Sequence, residues 1–350
     1  MSGGLDSSAA AFLLKKQGYE VMGVFMRLGF GDNEGENAAR RVCQKLGIKF
    51  YPLNLASKFK KEIIDYFLKS YEKGLTPNPC VKCNKIIKFK ELFKKARELG
   101  ADYIATGHYA QKHENKNIFK LFCGEDEGKD QSYFLYNLTQ GRLKHILFPL
   151  GKYKKDEVRK IADRAGLSYL KKESQDVCFL AGDHNDFLKD NLKLKPGEIK
   201  TLANQIVGQH QGLPLYTIGQ RKGVEIGGTG PYYVAECDYK TNILWVVKKG
   251  DDPALYKDEL IARDVNWISG IEPKLPLTCL VAIRYGHKPT KCKIQKSKGK
   301  INEYLIKFEK PQRAITPGQS VVFYLPRRSK AKEGNENEVL GGGVIGNCEL

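Results

Sequence analysis

The sequence predicts an α/β protein: a doubly wound parallel sheet, then a small central domain, then a C-terminal β-barrel. Three observations predict it. Short apolar runs alternate with amphipathic stretches of helical period from Met1 to about Gly166. A glycine-serine loop, Ser2-Gly3-Gly4-Leu5-Asp6-Ser7-Ser8, opens straight into the apolar pattern Ala9 to Leu14. From about Leu260 onward, short strands separated by turn residues follow one another, as in a small barrel.

The loop is the first element to justify. Gly3 and Gly4 let the backbone bend tightly and approach a ligand with no side chain in the way. Two serine hydroxyls follow, and the helix behind them offers unpaired N–H groups and the positive end of its dipole. That combination seats a phosphate. No Gly-Lys-Ser/Thr follows, so this is not a Walker loop, and the third glycine of a dinucleotide fingerprint is missing. The plain alternative is a Ser/Asp-capped helix after a glycine turn. A phosphate loop of this kind hangs from the end of a buried strand, yet only Met1 precedes it. Either the native start lies upstream of Met1 or a central strand is lacking. The expectation is a gap in the sheet or a poorly anchored loop.

Gly18 closes the first helix, and the stretch from Tyr19 to Met26 reads as a strand. A helix through Ala38 and Val42 stops near Gly47, and Ile48 to Leu53 is the next strand. Ile63, Ile64, Phe67, Leu68 and Tyr71 recur at helical spacing before Gly74. The turn Thr76-Pro77-Asn78-Pro79 leads to Cys80-Val81-Lys82-Cys83, then a helix from about Asn84 to Leu99. Ala101 to Thr106 is a strand ending at Gly107-His108, at the carboxyl end of the sheet where ligands sit. A capped helix spans Lys155 to Ala165, and Pro196-Gly197 marks a domain boundary. Strands follow around Tyr232 and Ile243, then through the barrel. Lys288, Lys291, Lys293, Lys296, Lys298 and Lys300 form a run suited to a phosphate backbone or to a solvated hairpin tip.

Composition bounds the partners. Of 350 residues, 59 are Lys or Arg against 40 Asp or Glu, a net charge of +19 that favours a polyanion, nucleic acid first. A solvated basic surface is the bland reading. No apolar run approaches the roughly 20 residues of a membrane helix and no signal peptide opens the chain, so no membrane partner is expected. Nine irregularly spaced cysteines read as cytosolic thiols, which implies a cytoplasmic protein without a disulfide framework.

Cys80 and Cys83 sit on a proline-bounded turn, Cys83 just ahead of a helix, where a thiol pKa is lowered. A Cys-x-x-Cys can be a zinc site, a thioredoxin-like pair, or a sulfur-handling or cluster site completed by a distant cysteine. No second Cys-x-x-Cys is present and the topology is not that of thioredoxin, which favours the third reading. Cys178, after the polar Ser174-Gln175-Asp176, is the natural third member. Cys43, Cys123, Cys237, Cys279, Cys292 and Cys348 lack such a setting, and most read as small core hydrophobes.

Six motifs then occur in one order. They are the opening loop, Thr76 to Phe89, Ala105-Thr106-Gly107-His108-Tyr109-Ala110, Lys129-Asp130-Gln131-Ser132-Tyr133-Phe134-Leu135, Ser174 to Phe179, and Tyr216-Thr217-Ile218-Gly219-Gln220-Arg221-Lys222-Gly223. Together the chain resembles the bacterial tRNA-specific 2-thiouridylases of the PP-loop ATP pyrophosphatase superfamily, which thiolate the wobble uridine of tRNA. The likeness runs from the first loop to Gly341-Gly342-Gly343-Val344-Ile345. It implies an adenine nucleotide alpha hydrolase-like catalytic domain over residues 1–195, a central linker domain over 196–257 and a tRNA-binding barrel over 258–350.

By that resemblance, Ser2, Gly3, Gly4, Leu5, Asp6 and Ser7 hold the ATP phosphates and Mg2+, while Met26 and Gly107 border adenine and ribose. ATP would adenylate the uridine C2 oxygen, converting a poor leaving group into a good one and releasing pyrophosphate, with AMP leaving afterwards. A persulfide on Cys178, charged by an upstream sulfur-relay protein, would deliver sulfur. Cys83 would release hydrogen sulfide from it or close a Cys83–Cys178 disulfide after transfer. Asn78, Pro79 and Cys80 would meet the flipped base. His108, Lys129, Asp130, Gln131, Arg284, Tyr285 and Gln319 would contact tRNA, with the Lys, Glu and Gln acceptors as substrates. Some family members carry an acidic residue in place of Cys80. Its presence here makes Cys80, Cys83 and Cys178 candidate ligands of a [4Fe–4S] cluster, an alternative to the persulfide route. A PP-loop ligase acting on a small substrate would leave the cysteines and the basic barrel unexplained. A non-catalytic RNA-binding relative would not require the intact loop with both Cys83 and Cys178.

Overall fold

The computed structural model describes residues 1–30, 33–171, 177–180, 182–224, 226, 230–297, 302–326 and 337–346. Parallel strands Met22–Arg27 and Lys49–Asn54 pair along their full length. A second parallel pair, Ile104–Ala105 with Ile146–Leu147, lies apart from the first. Between them is a cavity of about 600 Å3, lined by Met22, Val24 and Met26 on one side and Ile104, Ala105 and Thr106 on the other. Among the described residues the sheet is therefore gapped, one of the two outcomes expected for the opening loop. The other does not hold, because the loop is pinned: Leu170 N–H donates to the Gly3 carbonyl at 2.9 Å.

Helix Leu5–Lys16 carries Ala9, Ala10 and Ala11 buried beside Leu5 and Leu13. Small side chains allow close approach, and Val42 and Leu46 of helix Asn33–Leu46 join Val158 and Ala162 of helix Lys155–Arg164 in the same core. Each fully buried leucine or valine in it contributes about 1.5–3 kcal/mol.

The helix bearing Cys80 and Cys83 begins earlier than the sequence suggested. It runs continuously over 79–98 as Pro79–Cys83, Asn84–Glu91 and Leu92–Glu98. Asn78 caps it, its Oδ1 accepting from Val81 N–H at 3.3 Å, and Pro79 occupies the first helical position, where its missing N–H costs nothing.

Six antiparallel strands form the barrel: Tyr256–Trp267, Leu277–Ala282, Thr290–Lys296, Tyr304–Arg313, Ser320–Leu325 and Glu338–Ile345. Pairing of Ala262 with Ile345 joins first to last and closes it. Alternate residues point inward, so Leu260, Val281, Ile294, Ile306 and Phe323 make the core. Lys291, Lys293 and Lys296 point outward, and Lys296 and Lys291 face Glu272 and Glu309 on neighbouring segments at 2.9 and 4.0 Å. Lys298 and Lys300 lie outside the described residues. The central domain is a four-stranded sheet of Ile206–His210, Gly197–Thr201, Ile243–Val247 and Tyr233–Asp238, in that order.

One element was not anticipated. Ala110–Asn115 and Ile118–Cys123 form a hairpin whose two turn residues, Lys116 and Asn117, both have positive φ (49° and 62°), as a type I′ turn requires. Its second strand adds to the barrel sheet, pairing Leu121 with Val339 and Phe122 with Glu338. A single buried cluster follows across the junction, from Val81 and Phe89 through Leu121 and Tyr136 to Val322 and Val339.

Candidate active site

The phosphate loop is wired by its own serines. Ser2 N–H donates to Ser7 Oγ at 3.0 Å, the two hydroxyls lie 3.0 Å apart, and Ser7 and Ser8 hydroxyls donate to the Gly4 carbonyl at 3.1 and 2.9 Å. Gly3 is in the left-handed region at φ 79°, and a Cβ there would lie 2.6 Å from the Gly35 carbonyl. At Gly4 a Cβ would approach only Ser2 Oγ, at 3.6 Å, so this side of the loop stays open. Asp6 accepts a hydrogen bond from Tyr109 Oη at 2.9 Å and is gripped by Lys155 Nζ at 2.8 and 2.9 Å. Gly107 fits closely against it: a Cβ would sit 2.9 Å from the Asp6 carbonyl carbon and Cβ. Leu5, by contrast, points into the core.

The cavity joins these parts. Ser2, Asp6, Ser7, Met26, Lys88, Gly107, His108 and Gln131 all line it. Asp6 and the Ser2 and Ser7 hydroxyls supply the oxygen ligands that magnesium prefers, next to an open glycine cradle, so these residues fit a magnesium-bound triphosphate.

Lys88 is a residue that the sequence reading missed. It lies on the cysteine helix and reaches the phosphate-loop cavity. Its place in the same predicted helix, one turn after Asn84, was the available signal.

Cys83 is buried among Phe59, Phe67, Ile87 and Phe179, in the second turn of its helix and not at its start. Burial pushes its thiol up to about 12, the Lys88 ammonium pulls the other way, and the nearby Cys178 and Cys80 raise it further. The expected lowering of the Cys83 pKa is thus reversed. Desolvation outweighs a helix dipole that has faded by the second turn. Cys80, near the helix start, is half-buried and Cys178 is exposed. Phe179 anchors the Cys178 segment, its ring edge-on to Phe67 at 5.4 Å and to Phe59 at 5.8 Å. The structure therefore brings Cys80, Cys83 and Cys178 into one neighbourhood. Ser174, Gln175 and Asp176 lie outside the described residues. As placed, the trio does not fit an iron–sulfur cluster: one thiol is buried, another exposed, and no group of three metal-ligating side chains comes together among the described residues.

The remaining candidates divide. His108 is buried, its Nδ1 2.8 Å from Thr106 Oγ1, and burial, then Lys88, holds its pKa well below the usual value. Asp130 holds a turn together, accepting from Gly124 N–H at 2.8 Å and from the Ser132 hydroxyl at 2.8 Å. Gln131 Oε1 accepts from Tyr109 N–H at 3.1 Å, and Lys129 is exposed. Gln319 Nε2 donates to the Thr76 carbonyl at 3.0 Å, tying the barrel to the turn before Asn78. Arg284 and Tyr285 are exposed on the same side, the Tyr285 ring lying 4.5 Å from Phe134.

A glycine cradle with an acidic residue beside it, and three cysteines on and near the helix that sends Lys88 into the same cavity, define a thiol-bearing α/β protein with an appended barrel. Residues 1–182 match the tRNA methyl transferase HUP domain family, 185–248 the tRNA methyl transferase PRC-barrel domain and 257–345 the aminomethyltransferase beta-barrel domain. A tRNA-specific 2-thiouridylase MnmA 2 of Caldanaerobacter subterraneus subsp. tengcongensis is 45% identical, with 99% of this chain and 96% of the relative covered. A tRNA-specific 2-thiouridylase MnmA 1 of Thermoanaerobacter pseudethanolicus shares 45% identity and a tRNA-specific 2-thiouridylase MnmA of Clostridium perfringens 42%, each at the same coverage. The chain belongs to the tRNA-specific 2-thiouridylase family.

Proposed function

We propose that this protein is a tRNA-uridine 2-sulfurtransferase that uses ATP to replace the C2 oxygen of the wobble uridine with sulfur. The observation that supports this most is the cavity that carries the phosphate loop and, through Lys88, the cysteine helix. ATP would bind with its phosphates on Ser2, Gly3, Gly4, Asp6 and Ser7, and its base toward Met26 and Gly107. Bound magnesium would neutralise phosphate charge there. The uridine C2 oxygen attacks the α-phosphorus, forming an O–P bond as pyrophosphate leaves with the electrons of the broken one.

Sulfur delivery falls to the cysteines. The terminal sulfur of a Cys178 persulfide attacks C2, and AMP departs with the former oxygen. The Cys83 thiolate then attacks Cys178 Sγ, closing a Cys83–Cys178 disulfide and leaving the electron pair on the uridine sulfur. A thiol reductant supplies two electrons to reopen the pair. In the variant route, Cys83 attacks the persulfide first and releases hydrogen sulfide. Either way the buried Cys83 must lose its proton, and Lys88 is the nearby cation that favours the thiolate.

Exposed Cys178 suits charging by a separate persulfide donor protein. Arg284, Tyr285, Lys129 and the Asn78-Pro79-Cys80 helix start would receive tRNA, with the Lys, Glu and Gln acceptors as expected substrates. Domain limits at 195 and 257 accompany this reading. Mass spectrometry of tRNA nucleosides after incubation with ATP and a sulfur donor tests it. Cys178→Ala should abolish 2-thiouridine while tRNA binding survives, and undiminished thiolation in that variant would sink the mechanism. ATP should yield AMP and pyrophosphate; ADP as product would overturn the loop assignment.

A further inference from the structure

Lys155 lies far along the chain from the phosphate loop, yet its ammonium contacts both carboxylate oxygens of Asp6, at 2.8 and 2.9 Å. Its side chain is only 11% exposed, against 35% for Asp6. Two further contacts fix its position. The backbone N–H of Lys155 donates to Asp126 Oδ2 at 2.8 Å, and the ammonium lies 5.6 Å from the centre of the Tyr109 ring, whose hydroxyl also reaches Asp6. A largely buried lysine is costly unless its charge is matched, and here it is matched by the very carboxylate that faces the phosphate cradle.

We propose that Lys155 is a positioning residue that couples metal binding to nucleotide binding at the phosphate loop. The proposal rests on the reading of that loop as an ATP site. Without nucleotide, the ammonium satisfies Asp6 and competes with a divalent cation for the same oxygens. When a triphosphate enters the cavity that Asp6 lines, the ammonium turns from Asp6 to a phosphate oxygen, and Asp6 is freed to take the metal. The metal alone is thereby disfavoured and the metal–nucleotide pair favoured.

A lysine that merely ties the helix to the loop would behave differently. Its removal would weaken both ligands or neither. Loss of a competitor for Asp6 that is also a phosphate partner predicts changes of opposite sign.

The test is calorimetry on the full chain with two probes, Mn2+ alone and magnesium α,β-methylene-ATP. Lys155→Met should bind Mn2+ alone several-fold more tightly than the wild type and bind the nucleotide probe about ten- to a hundredfold more weakly, the loss of one charge-assisted contact. Lys155→Gln, which keeps a polar head without the charge, should show the same pattern and serves if the methionine variant folds poorly. Unchanged tRNA binding and melting temperature would separate the effect from a general loss of structure. If both affinities fall together, or neither moves, Lys155 is only a tie within the fold. If the wild type itself fails to bind the nucleotide probe, it is the ATP reading of the loop that has fallen, a result distinct from the first.

Discussion

Replacing Gly318 with alanine tests whether the barrel holds the turn ahead of the cysteine helix. Gly318 has φ 90°, and a Cβ there would lie 2.9 Å from both Leu75 Cβ and Thr76 N, and 3.0 Å from the Thr76 carbonyl oxygen. Two outcomes are open to the chain. If the turn stays, the left-handed backbone costs alanine about 1–2 kcal/mol and the overpacking about 1–3 kcal/mol. If the turn retreats, Thr76 N–H to Pro317 O at 2.9 Å and Gln319 Nε2 to Thr76 O at 3.0 Å are lost, about 1 kcal/mol each. Either way the variant loses about 2 kcal/mol or more. Gly270→Ala is the control, since its φ is 76° but nothing lies within 4 Å of the new Cβ, so only the backbone term remains. Urea unfolding followed by circular dichroism reads the difference, and 2-thiouridine formation reads its effect on the site. A Gly318→Ala midpoint matching that of Gly270→Ala, with full activity, would refute the idea that the barrel positions this turn.

Four further outcomes are expected. Gly107→Ala, which drives a Cβ to 2.9 Å from Asp6, should weaken ATP binding by about tenfold or more while tRNA binding persists, as competition titrations would report. Tyr285→Ala should weaken tRNA binding by about 1–3 kcal/mol if its exposed ring stacks on a base, with little change in melting temperature; gel-shift titration checks it. With Cys83 raised from 9.0 to about 12, the neutral thiol favours the folded state. That stability is complete below pH 9 and is lost as pH rises toward 12, and iodoacetamide should label Cys178 well before Cys83 at neutral pH. His108 is depressed instead. Its contribution is present above pH 6.5 and lost as pH falls through its folded value, at up to about 1.4 kcal/mol per unit, so His108→Gln should flatten the acid limb of a pH–stability curve.

Much of this was legible in the chain because short-range rules decide it. The loop, the alternation of strand and helix, and the barrel strands follow from glycine placement and periodicity. The helix start was misplaced although its signal was present: Asn78 before Pro79 is a cap followed by a first-turn proline, and the turn-rich surroundings masked it. What could not be read was burial. Cys83 looks activated one residue before a presumed helix and turns out to be desolvated by Phe59 and Phe67 of the preceding helix and by Phe179, far along the chain. Lys155 and Asp6, and Gln319 and Thr76, meet only because the fold closes over long loops, and no local pattern announces such pairs. Asp130, in a motif that suggested tRNA contact, proves to be occupied by Gly124 and Ser132.

The hairpin Ala110–Cys123 has a consequence for how this chain is made. Its second strand finds its partner in Val339 and Glu338, and the cluster beneath it takes Val81 and Phe89 from the cysteine helix. During synthesis, the segment carrying Cys80 and Cys83 emerges more than two hundred residues before the strand that completes its floor. Until the barrel strands are laid down, Leu121 and Phe89 lack the cover of Ala282, Val322, Tyr324 and Val339. A ribosome-bound or prematurely ended chain would thus hold an intact phosphate loop beside a cysteine helix whose Val81 and Phe89 face is still open. The helix that carries the cysteines would be packed on both faces only once the barrel had closed.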